Sequence, residues 1–150
     1  MITKMKRTLL ICLTLMLGLS CCTAPAKKAV VTSQAPSAIG PYSQAVEAGG
    51  TIYVSGQLPI DPATGQFVQG DIKDLARQSL KNIQSILLEA GLDMDHVVKT
   101  TVFLSDINDF AAVNEVYATF FSEPYPARSA MAVKDLPKAG PIEIECIAVR

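Results

Sequence analysis

One histidine in 150 residues, and four cysteines of which three fall before residue 23, leave several common catalytic machineries without parts. A Ser-His-Asp triad needs an imidazole to carry its proton, and the only candidate is His96, which stands just before a strand-like run and reads as a turn residue. No His-Glu-x-x-His or Cys-x-x-Cys spacing occurs, which removes the usual zinc and dithiol sites. Gly49, Gly50 and Gly56 lack the lysine and the spacing of a phosphate-cradling loop. Only Cys146 lies in the body of the chain, so no intrachain disulfide framework can form there. The expectation is chemistry without cofactor or metal.

Basic charge is also in short supply, with 13 Lys and Arg against 14 Asp and Glu. Three of those cations, Lys4, Lys6 and Arg7, precede the apolar run from Thr8 to Leu19. That run is shorter than the ~20 residues a membrane-spanning helix needs, and the pattern predicts an export signal. Without its cations the balance is 10 against 14, or about minus four, which offers no electrostatic footprint for nucleic acid. The run closes on Leu19-Ser20-Cys21-Cys22, which resembles a bacterial lipobox. Cys22 fits best as the lipid-bearing residue, Cys21 is the alternative, and a plain secretory signal is the other reading. The predicted organisation is a lipoprotein-type signal over residues 1–22, a tether over 23–28 and one folded domain over 29–150. Such a tether reaches at most ~20 Å, so the domain is expected exported and held close to a bacterial membrane, periplasmic or cell-surface, by its lipid anchor alone. A single acyl chain holds a protein only marginally, which favours multiple acylation or several anchored subunits.

With 49% hydrophobic residues over its 150, the chain suits a single domain with one core. A short β-prone run, Ala29 to Thr32, comes first. Gln44 to Ala48 and Thr51 to Ser55 flank Gly49-Gly50, a hairpin signal. Leu58 to Ile60 and Phe67-Val68 flank a turn over Asp61 to Gly65. From Asp71 to Ala90, apolar positions at Ile72, Leu75, Ala76, Ile83, Ile86 and Leu87 recur at helical steps, and Gly91 is a natural terminator. Val97 to Leu104 reads as a strand with Val98, Val102 and Leu104 on one face. A second helix, capped by Asp106 or Asn108, is predicted to run to about Phe121, with Phe110, Val113, Tyr117 and Phe120 at helical spacing. Strands over Ser129 to Val133 and Ile142 to Val149 follow. This order argues an α+β domain, a mixed sheet with both helices on one face.

Chemistry concentrates in two stretches. Pro126-Ala127-Arg128-Ser129 leads into a predicted strand, and the planar fork of Arg128 matches a carboxylate two bonds at a time. Alone, an arginine there reads first as a solvated edge residue, and the carboxylate clamp is the second reading. Ile142-Glu143-Ile144-Glu145 offers two acids on one side of a strand, and the residues by themselves do not choose between them.

Six motifs together make the chain similar to the RidA (YjgF) family: Ile39 to Gln44, Val54 to Gln57, Val98 to Leu104, Asn108 to Asn114, Pro126 to Ser129 and Ile142 to Glu145. The resemblance covers 29–150 in family order. It implies a chorismate-mutase-like subunit, a homotrimer with clefts between subunits, and cofactor-independent 2-iminobutanoate/2-iminopropanoate deaminase activity that yields a 2-oxo acid and ammonia. It also implies that Arg128 binds the substrate carboxylate, with Glu143 as the acid–base group and Tyr42 in the catalytic set. Gly56 and Asn114 would bind substrate, and Ser55 and Ser129 are weaker candidates. Arg128 and Glu143 are accordingly expected a few ångströms apart across one pocket. The sequence departs from many members at Ala130, where they carry cysteine, and in a shorter linker over Ser122 to Tyr125. Two other readings are a non-catalytic module for small carboxylates and a ribonuclease. The acidic balance and the missing catalytic histidine argue against the latter.

Overall fold

A computed structural model describes residues 26–150. The residues read as a signal, Cys21 and Cys22 among them, and the first three of the expected tether lie outside the described residues. The polypeptide runs β1 (Lys28–Val30), β2 (Ala45–Ala48), β3 (Thr51–Gln57), α1 (Ile72–Glu89), β4 (Val97–Leu104), α2 (Phe110–Tyr117), β5 (Ala127–Ala132) and β6 (Ile142–Val149). They form one six-stranded sheet in the order β1-β2-β3-β6-β4-β5. Every pairing is antiparallel except β4 with β5, which the α2 crossover joins in parallel.

Local chemistry accounts for the elements. Gly49 and Gly50 sit at φ 58° and 78°, the positive values that a two-residue hairpin turn demands between β2 and β3. Asp71 caps α1 by accepting from the Lys73 and Asp74 amides at 2.8 and 3.1 Å, and Gly91 ends it at φ 74°. The buried stripe of α1 holds Ala76, Leu80, Ile83, Ile86 and Leu87, packed on β3 and β6. Asn82 lies on that stripe too, buried, because its amide donates to the Leu58 and Ile60 carbonyls at 3.1 and 2.9 Å. Beneath α1, β6 turns Ile142, Ile144, Cys146 and Ala148 inward. Glu143, Glu145 and Ile147 therefore point to the other face, which no helix among the described residues covers.

Three expectations are corrected. Val98 is not on the core face: the pairing of β4 with β6 slips between Val97 and Lys99, which buries Val97 and leaves Val98 45% exposed. The second helix ends at Tyr117 rather than near Phe121. Past that point the chain tightens to bonds from Thr119 to Val116 and from Phe120 to Tyr117, and the Thr119 hydroxyl takes the Val116 carbonyl at 2.7 Å. This tightening lets Phe121 turn back into the core, its ring 4.4 Å from that of Tyr117. Finally, Arg128 does not precede β5 but lies within it, opposite Thr100 of β4.

Candidate functional site

Arg128 shares a sheet face with its register partner Thr100, the face on which α2 packs. Its guanidinium carbon lies 4.5 Å from the centre of the Tyr117 ring and 5.5 Å from that of Phe110. Both rings stand on α2 seven residues apart, two turns along one side of the helix. The Tyr117 hydroxyl shares a 2.9 Å hydrogen bond with Thr100, which fixes the ring. Burial raises the Tyr117 pKa, while the Thr100 bond and the Arg128 charge pull the other way, and the phenol stays neutral. Stacking on aromatic faces is worth ~0.5–2 kcal/mol and uses none of the arginine's donors. Among the described residues no carboxylate pairs with Arg128.

Beside it is a depression of about 390 Å³ lined by Asn114, Tyr117, Ala118, Tyr125, Pro126 and Arg128. Among the described residues the buried Asn114 carboxamide oxygen has no hydrogen-bond partner. An orphaned acceptor costs ~1–3 kcal/mol, so this oxygen is free to accept from an N–H or O–H donor.

The second group lies elsewhere. Glu143 projects from the helix-free face of β6, opposite Phe103 of β4. Its carboxyl sits over Gly56, where β3 slips register against β6 between Val54 and Gln57. A Cβ on Gly56 would lie 2.6 Å from the Glu143 carboxyl carbon, so glycine is needed there to admit the acid. Burial pushes the Glu143 pKa up, and the like charge of Glu145 two residues on pushes it further. Gly56 also lines a groove of about 240 Å³ with Tyr42, Ile39, Gln44, Leu58 and Lys138 among its walls. Tyr42 is half-exposed, and its hydroxyl accepts from the Ile39 amide at 3.3 Å. The Ser55 hydroxyl donates to the Ser43 carbonyl at 2.7 Å, so its proton serves the backbone. Ser129 likewise accepts from the Lys99 ammonium at 2.8 Å.

The structure thus assembles the expected residues into two groups, Arg128 with Asn114 and Glu143 with Gly56, Tyr42 and Ser55. It does not put Arg128 and Glu143 in one pocket of one chain. On β4 their partners are Thr100 and Phe103, three residues apart, and an odd step along a strand changes faces. The sequence reading also took Phe110 and Tyr117 only as members of a helical stripe. The available signal for an arginine bed was their spacing of seven with an arginine on the next strand.

Other nucleophiles are set aside by their surroundings. Burial drives the Cys146 thiol up to about 12, and Ala130 packs against the core where a thiol is absent. His96 closes a capping box with Asp93, its Nδ1 2.6 Å from the carboxylate. Among the described residues no cluster of His, Cys, Asp or Glu is arranged to hold a metal ion.

A six-stranded mixed sheet backed by two helices, with these two polar groups on opposite faces, defines a chorismate-mutase-like α+β protein. Residues 32–150 match the family model described as Endoribonuclease L-PSP. The chain is 56% identical over 124 residues to the 2-iminobutanoate/2-iminopropanoate deaminase of Rattus norvegicus, covering 83% of this chain and 90% of that one. It is 54% identical to a RutC family protein of Pyrococcus horikoshii, covering 83% and 98%. The solved structure of RidA from Psychrobacter superposes with a TM-score of 0.79 at 47% identity, covering 82% and 99%. The chain belongs to the RidA/YjgF family.

Two outcomes follow from this geometry. Gly56→Ala displaces the Glu143 carboxyl, whose end can swing aside, so urea unfolding should change by no more than about 1 kcal/mol while the Glu143 carboxyl resonance moves; an unmoved resonance would show that the glycine does not hold the acid in place. The folded-state pKa of Glu143 lies above its unfolded value, so the group costs stability once pH rises through the ordinary carboxylate range. Carboxyl NMR should find Glu143 titrating above an exposed glutamate and moving down in Glu145→Gln, and Glu143→Gln should gain stability relative to the parent as pH rises through that range.

Proposed function

We propose that the chain hydrolyses reactive 2-imino acids, 2-iminobutanoate and 2-iminopropanoate among them, to 2-oxo acids and ammonia. The observation that carries this reading is an arginine that pairs with no carboxylate among the described residues and whose plane is held on two rings. It is supported by a carboxyl of raised pKa on the opposite face and by relatives that bear the deaminase name. Because one chain separates the two groups, the working cleft lies between copies. In a homotrimer, Arg128 and Asn114 of one subunit meet Glu143, Gly56 and Tyr42 of the next, a head-to-tail contact that closes as a ring. The helix-free sheet face, with Tyr53 and Met131 half-exposed on it, is the surface such an assembly covers.

In this cleft Arg128 holds the substrate carboxylate bidentately and fixes the C=N carbon. Asn114 accepts an N–H from the substrate nitrogen. Glu143, ionised, takes a proton from water as the oxygen bonds to that carbon and the π pair moves onto nitrogen, to which Glu143 hands that proton. The carbinolamine then collapses: Glu143 removes the hydroxyl proton, the O–H electrons form the C=O bond, the C–N bond breaks, and Glu143 passes this second proton to the nitrogen, which leaves as ammonia. A ribonuclease reading follows the family model's description, but an acidic body and a histidine spent in capping give it less support. Binding of 2-oxo acids without turnover is the outcome that would favour a non-catalytic module.

An amino-acid dehydratase generating 2-aminoacrylate supplies the test. Purified residues 29–150 should speed pyruvate release, and Arg128→Ala and Glu143→Gln should each lose about 10²-fold or more. Co-expressing those two inactive variants should restore activity in about a quarter of the clefts, as expected when each site draws on two subunits. No acceleration by the parent, or full activity of Arg128→Ala, overturns the reaction, and no restoration overturns the shared cleft.

We further propose that Cys22 carries a lipid that tethers the domain to a bacterial membrane. A palmitate analogue should label the parent and not Cys22→Ala; labelling lost only in Cys21→Ala moves the site by one, and none in either parent or variant refutes the anchor.

A further inference from the structure

We propose that Gln44 is a positioning residue for the proposed reaction, fixing the wall with Tyr42 and Ile39 in the groove lined by Gly56, the glycine on which the Glu143 carboxyl sits. The inference rests on the reading above for its kinetic part only. Gln44 is 3% exposed and stands immediately before β2. The β1–β2 ladder ends with Val30 opposite Ala45, after which the two strands part. Past that point the Gln44 carboxamide replaces the missing backbone partner. Its oxygen accepts from the Thr32 amide at 2.8 Å, and its nitrogen donates to the Thr32 carbonyl at 3.0 Å. The same nitrogen donates to the carbonyls of Ala35 and Pro36 at 3.1 and 2.8 Å. Three carbonyl oxygens on one side and an amide on the other dictate which way the carboxamide faces.

Both ends of the 32–44 segment are thereby fastened beside the reacting groups. At the near end Ser55, the neighbour of Gly56, donates its amide to the Gln44 carbonyl at 3.0 Å and its hydroxyl to the Ser43 carbonyl at 2.7 Å. At the far end Pro36 is held by the Gln44 side chain, and Pro36, Ser37, Ile39 and Tyr42 line the groove opposite Gly56 and Leu58. The segment has no helix or strand of its own between Val31 and Gln44. One buried side chain thus supplies order that secondary structure does not. Its carboxamide is spent on backbone partners of the segment, so its effect on turnover passes through Tyr42 and its neighbours.

Gln44→Met keeps the length and removes all four bonds. Gln44→Glu keeps the shape, and its acid can donate only while protonated, since an ionised carboxylate would face three carbonyl oxygens. The expected result for Gln44→Met is an unchanged far-ultraviolet spectrum, faster amide exchange confined to 31–43, and a fall in kcat of tenfold or more. In a Tyr42→Phe background the same change should cost much less, because the shared wall is already impaired. For Gln44→Glu, kcat relative to the parent at the same pH and the slow exchange of the Thr32 amide should be retained at low pH and lost together as pH rises. Parental kcat with parental exchange in both variants overturns the proposal, and so does global unfolding of Gln44→Glu on raising the pH, which would make Gln44 a determinant of the whole fold. Should the parent show no imine hydrolysis, the exchange measurements still decide whether Gln44 orders the segment, and the functional reading fails separately.

Discussion

The alternation of β6 is the constraint on which this protein's geometry turns. Ile142, Ile144, Cys146 and Ala148 must lie against α1 to close the core, and that requirement throws Glu143 and Glu145 to the other side. A slip of one residue would bury two carboxylates under a helix, at a cost far beyond what such packing returns. The same pleat carries Arg128 to the helix side through its pairing with Thr100. Core formation and the separation of the two charged groups are thus one event.

Each charged group is then prepared by a different physical means. The guanidinium is oriented by ring faces, which steady it without consuming its hydrogen-bonding edge, and no carboxylate among the described residues pairs with it. A carboxylate partner within the chain would have held it as firmly and would also have competed with any ligand acid. The glutamate is prepared by partial burial and by a neighbouring like charge, both of which favour its protonated form. It gains its place only because Gly56 has no side chain and β3 is bulged there. Fixed donor geometry on one face and a carboxyl inclined to hold a proton on the other are complementary properties.

Much of the architecture was legible along the chain. The Gly49-Gly50 hairpin, α1 between Asp71 and Gly91, and the spans of β4 and β6 follow from turn chemistry, capping and periodicity, all of which act over a few residues. Failures came where distant partners decide. Val98 lost its place on the core face to a slip against β6, α2 was cut short by the packing of Phe121, and β5 reached back to include Arg128 because β4 was there to pair with it.

The amino-acid sequence alone determined the residue chemistry available to a site, the family motifs, and the order of strands and helices, since these depend on composition and short-range spacing. Which groups face one another was decided only in the folded chain. The bed of Phe110 and Tyr117 under Arg128, the seat of Glu143 on Gly56, and the hold of Gln44 on residues 32 to 36 each join segments through strand register or a buried hydrogen bond. Such contacts depend on long-range pairing and desolvation, and no local pattern encodes those terms.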